Sequence, residues 1–64
     1  MTSRYRVIFE NRSGHCVLDT TFEDKAKALK YTHQESVYRA GSEVIRSVVL
    51  YDALQNLVVL EVEV

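Results

Sequence analysis

The segment Glu23 to Ala40, EDKAKALKYTHQESVYRA, limits the fold more than any other part of the chain, because it is the one stretch whose pattern specifies a helix. Everything before and after it reads as paired strands. With ~100° per residue, Ala26, Leu29, His33, Val37 and Ala40 share one face, and this narrow stripe of mostly small residues is expected to meet the core. Thr21 with Asp24, or Thr20 with Glu23, fits a capping box at its start. Gly41 closes it as a C-terminal cap. Glu23 and Asp24 at the opening and Arg39 near the end suit the helix dipole.

Before the helix, Met1 to Ser3 is a lead-in and Arg4 to Asn11 is a strand, with Tyr5, Val7 and Phe9 on the core face and Arg6, Ile8 and Glu10 opposite. Asn11-Arg12-Ser13-Gly14 has the composition of a turn. His15 to Phe22 is the second strand, with Cys16, Leu18, Thr20 and Phe22 on one side. After the helix, Glu43 to Asp52 is apolar on both sides, Val44, Val48 and Leu50 against Ile45, Val49 and Tyr51. Asp52 to Asn56 is a hairpin loop. Leu57 to Val64 alternates, with Val58, Leu60, Val62 and Val64 inward and Leu57, Val59, Glu61 and Glu63 outward. The fold class is therefore α+β. One domain spans residues 1–64 in the order ββαββ, a four-stranded, mostly antiparallel sheet with one helix packed on one face. Placing the first and last strands side by side would let Arg4 and Arg6 meet Glu61 and Glu63.

At 64 residues, such a domain buries only ~60% of the surface its unfolded chain exposes. One cysteine, Cys16, allows no internal disulfide, and Cys16, His15 and His33 lack metal-ligand spacing, so no metal and no cofactor is expected. Association, with another copy or another protein, is the remaining way to make up the deficit. Eight Lys and Arg against nine Asp and Glu give a formal charge of −1, with no global field to steer the chain onto nucleic acid or a membrane. No apolar run reaches membrane-span length. A lone thiol and this composition lead us to expect a cytoplasmic protein.

One helix covers one sheet face. The other carries Ile8, Val17, Leu57 and Val59, with Val49 and Tyr51 from the third strand, and is expected to form a homodimer interface or a partner site. The alternative is a tolerated scatter of β-branched residues, diluted by Arg6, Glu10, His15, Asp19, Glu61 and Glu63. On the helix, Tyr31 and Tyr38 are seven residues apart and share a side with Lys27 and Gln34. These four are a candidate partner-binding surface, since tyrosine is enriched in interface hot spots. Alternatively the rings lie over the sheet edges and widen the core.

Candidate catalysis is thin. His15 and Cys16 are adjacent in a strand, so they point to opposite faces and cannot act together there. Cys16 reads as a small core residue, and His33 as a buried or core-rim histidine with a conceivable pH-sensitive contact. No enzyme is expected, and a small enzyme using Cys16 is the remote alternative. A nucleic-acid-binding or nucleic-acid-mimicking module is the nearer one. Against it, Lys25, Lys27, Lys30, Arg39 and Arg46 are interspersed with acids, and only Tyr51 could serve as a stacking platform.

In size, absence of motifs and hairpin–helix–hairpin plan, the chain resembles the short accessory proteins encoded by bacteriophages and mobile elements. Some of these, including certain anti-CRISPR proteins, are stoichiometric inhibitors of host proteins. The resemblance is one of outline over the whole chain and transfers no functional residue. It implies a viral inhibitor of a host defence protein, working in the host cytoplasm. The sequence thus leads us to expect a non-enzymatic protein-binding module that acts as a homodimer.

Overall fold

The structure, a computed structural model, describes residues 4–64. The lead-in Met1 to Ser3 lies outside the described residues. Five elements follow in order: β1 (Tyr5–Asn11), β2 (Cys16–Phe22), α1 (Lys25–Tyr38), β3 (Ile45–Asp52) and β4 (Leu57–Glu63). The strands form one antiparallel sheet in the order β2-β1-β3-β4, and α1 packs on one face, against β3, β1 and β2. The ββαββ α+β plan read from the sequence is the fold. The expected neighbourhood of the first and last strands is not formed, because β3 stands between β1 and β4. Arg6 instead pairs with Asp19 and Arg4 with Asp52.

Local chemistry explains the connections. In the first hairpin, Asn11 Oδ1 accepts from the backbone N–H of Ser13 at 3.0 Å and of His15 at 2.9 Å, and Gly14 supplies a φ of 86°. At the second, Asp52 Oδ1 accepts from the N–H of Leu54 at 3.0 Å and Gln55 at 3.1 Å. The helix starts three residues later than the Thr21 capping box and four later than the Thr20 one. Asp24 itself is the N-cap, its side chain accepting from Ala26 N–H at 3.0 Å. Past Tyr38 the chain leaves the helix through Arg39, and Gly41 takes a φ of 79°.

Each strand pairing contains one register shift, and these explain most of the misplaced faces. Between β1 and β2, Phe9 is opposite Leu18 and Glu10 is opposite Cys16, so Val17 is the extra residue. Cys16 thereby shares a face with Glu10 and is exposed, not a core residue. Between β1 and β3, Arg46 is extra, which moves Ile45 to the helix side beside Val48 and Leu50 and leaves Val44 exposed. Between β3 and β4, Val59 is extra. Val58 then lies opposite Tyr51 and is exposed, while Leu57 lies opposite the buried Asp52.

The buried apolar cluster is Tyr5, Val7, Phe9, Ala28, Ile45, Val48 and Leu50. The helix presents Ala28 and Thr32 to it, both fully buried. The expected stripe of Ala26, Leu29, His33, Val37 and Ala40 is turned outward, with His33 exposed and Val37 65% exposed. Small residues let the helix approach the sheet closely. Thr32 tolerates burial because its hydroxyl donates to Ala28 O at 2.8 Å. Polar by composition yet self-satisfied, Thr32 is invisible to a search for apolar periodicity.

Candidate protein-binding surfaces

Of the four residues proposed on the outer side of the helix, Tyr31 is withdrawn from the surface. Its ring is half-buried against the core, 5.1 Å from the Phe22 ring centroid and 6.3 Å from that of Phe9. Tyr38, two turns further along the helix, is 81% exposed, and Lys27 and Gln34 are exposed. The shared side of the helix is therefore divided: Tyr31 packs against Phe9 of β1 and Phe22 of β2, and Tyr38 is open to solvent.

On the face opposite the helix, register brings together Arg6 with Thr21 and Tyr51, then Ile8 with Asp19 and Val49, then Glu10 with Cys16 and Ser47. Ile8, Val49 and Tyr51 are half-buried. Two ion pairs cross over and beside them: Arg6 Nε donates to Asp19 Oδ2 at 3.1 Å, and Arg46 Nη2 lies 3.3 Å from Glu10 Oε1. The hydrogen bond to Asp19 holds the Arg6 guanidinium pKa above its ordinary value. These ion pairs set charge across a face expected from the sequence to be mainly apolar. Tyr51 donates its hydroxyl to Asn56 Oδ1, which ties the ring to the second hairpin.

The other three residues assigned to that face are elsewhere. Val17 is the extra residue of β2 and is exposed. Val59 is the extra residue of β4 and packs against the core cluster. Leu57 belongs by register to the helix side, opposite Asp52. The apolar patch is thus smaller than expected on the open face. It is larger along β4, where Leu57 is 45%, Val58 53% and Leu60 38% exposed. The signal was present in the sequence. Leu57-Val58-Val59-Leu60 is four consecutive apolar residues, more than a strand with one dry face requires.

Asp52 anchors the start of this strand. Burial pushes its carboxyl pKa up, but hydrogen bonds from Arg4 and from the backbone N–H groups of Gln55 and Leu54 together outweigh it and leave the pKa lowered. Among the described residues no three His, Cys, Asp or Glu side chains gather where they could hold a metal ion. No helix there is long and apolar enough to cross a membrane. Comparison with protein-family models, curated proteins and solved structures gave no match.

Proposed function

We propose that this chain is a non-enzymatic protein-binding module that occupies a surface of a larger protein. The observation that carries the reading is the exposure of Leu57, Val58 and Leu60 along an outermost strand that the helix leaves bare. An exposed apolar edge strand in so small a domain is unstable against association. Stoichiometric occupation of a host protein is also how the anti-CRISPR-like proteins it resembles in outline act. A second copy seated on the open face is the competing occupant, favoured by Ile8, Val49 and Tyr51. The ion pairs Arg6–Asp19 and Arg46–Glu10 already set charge on that face, so we rank a heterologous partner first.

The test is capture from cells of the native host with the wild-type chain and with Val58→Lys/Leu60→Lys, alongside light scattering of the purified protein. The expected result is a monomer that retains one protein at a fixed stoichiometry, lost in the variant. A dimer dissociated by Ile8→Lys would replace the heterologous partner with a second copy. Retention of nucleic acid instead of protein, with strong salt dependence, would overturn the reading.

A further inference from the structure

We propose that the outer edge of β4 is a strand-addition site for an extended protein segment in which basic and apolar side chains alternate. This names the partner class for the protein-binding reading and rests on it.

Backbone geometry comes first. Glu63 lies opposite Ser47, and the neighbouring Val64 N–H donates inward to Arg46 O at 2.9 Å. In an antiparallel ladder, inward and outward main-chain groups alternate by residue. Glu63 and Glu61 therefore turn their N–H and C=O groups away from β3, toward the open edge. An extended chain is the occupant that satisfies such a row.

Charge identifies which extended chain. Glu61 lies opposite Val49 and Glu63 opposite Ser47, so both side chains share the face away from the helix, and both are exposed. Two other acids on that face already have arginines, Asp19 with Arg6 and Glu10 with Arg46. Among the described residues, neither Glu61 nor Glu63 is held in an ion pair. The two residues with outward main-chain groups thus also carry the unmatched carboxylates. On the helix side of the same edge, Leu60 is exposed and Val62 half-buried. A partner strand would place Lys or Arg beside Glu61 and Glu63, and apolar residues beside Leu60 and Val62. The chain's own Arg4 to Val7, leading into β1, has this alternation, but β1 is paired on both sides within the sheet.

Self-pairing fits poorly. A two-fold pairing of β4 centred on Glu61, Val62 or Glu63 sets glutamates opposite glutamates. Centring it on Leu60 draws the extra residue Val59 into the ladder and opposes Val62 to Val58, which lie on different faces. The other edge, β2, has its extra residue Val17 and an acid already engaged by Arg6.

The experiment uses a fluorescein-labelled ten-residue peptide alternating Lys and Val. Controls are the Glu–Val counterpart and a composition-matched peptide with its lysines in one block. Anisotropy with the full chain should show saturable one-to-one binding of the alternating basic peptide, roughly tenfold tighter than either control. Hydrogen exchange should slow at the Glu61 and Glu63 amides. Glu61→Lys/Glu63→Lys should reverse the preference between the two alternating peptides. Glu63→Pro removes an outward N–H that the ladder to β3 does not use, so it should abolish binding with the thermal midpoint retained. Equal affinity for the blocked peptide, protection away from β4, or unchanged preference in the double variant would overturn the proposal. If the peptides fail while capture still depends on Val58 and Leu60, strand addition falls and the protein-binding reading stands.

Discussion

Arg39 lies over Phe9, its guanidinium carbon 4.5 Å from the ring centroid, while its Nε donates to Glu35 Oε1 at 3.2 Å. The C-terminal end of the helix is thus held to the sheet by a cation on an aromatic face. The residue that a hydrophobic stripe would supply there, Val37, points away. A half-buried cation–π contact contributes on the order of 1 kcal/mol, and the arginine stem adds packing. Arg39→Ala should therefore destabilise the fold by about 1–2 kcal/mol in urea unfolding. Arg39→Met, which keeps the stem, should recover part of that. A loss under about 0.3 kcal/mol for the alanine variant would show that the contact does not hold the helix end.

Tyr31 and Tyr38 occupy the same side of one helix and should behave as opposites. Tyr31 packs between Phe9 and Phe22, so Tyr31→Ala removes a half-buried ring and should cost about 2 kcal/mol, below the range for fully buried aromatics. Tyr38 is almost fully exposed, and Tyr38→Ala should change stability by less than about 0.5 kcal/mol. Thermal melts of the two single variants decide it. Equal losses would mean that Tyr38 folds back onto the core.

These contrasts show what the sequence carries and what it hides. The order of elements was legible because strand and helix periods differ. The core side of β1 was legible too, since Tyr5, Val7 and Phe9 alternate without interruption and are all buried. Faces were lost wherever an extra residue shifts the phase: at Val17 for Cys16, at Arg46 for Ile45, at Val59 for Val58 and Leu57. A bulge leaves no compositional mark in a run of β-branched residues. The helix face was lost for another reason. Its inward residues, Ala28 and Thr32, are selected for closeness to the sheet, and its outward ones are more apolar. Of the candidate site, Tyr38 and the exposure of Leu57 were foreseeable, whereas the edge position of β4 required the strand order.

Ser47 and Thr32 form a second pair of opposites. Both are fully buried, and Thr32 donates its hydroxyl to Ala28 O. The Ser47 hydroxyl has no hydrogen-bond partner among the described residues. Removing a buried, unsatisfied polar group relieves its desolvation cost. Ser47→Ala should consequently be neutral or stabilise by up to about 1 kcal/mol in denaturant unfolding. A clear loss would mean that the hydroxyl is bonded in solution.

The ion pair of Arg4 and Asp52 sets a pH dependence whose sign is fixed by its geometry. Arg4 Nη2 lies 3.2 Å from Asp52 Oδ2, and Asp52 Oδ1 caps the second hairpin through Leu54 and Gln55. The folded carboxyl pKa lies below the ordinary 3.8, so the folded state binds this proton more weakly than the unfolded chain does. The stabilisation is therefore fully present above pH 3.8 and is lost as pH falls through the lower, folded value. Arg4 stays charged throughout, because its own pKa is raised, first by the hydrogen bond to Asp52. Asp52→Asn should lower stability at pH 7 and flatten the acid limb, so that the variant and wild-type midpoints converge as the pH falls through the lowered, folded value. Arg4→Met should make the acid loss smaller and end it at a higher pH, since the folded carboxyl then lacks its cation and its pKa rises toward that of the unfolded chain. Thermal melts between pH 2 and 7 on the three proteins would show both effects. A wild-type acid limb unchanged by Asp52→Asn would assign the acid sensitivity to the other carboxylates.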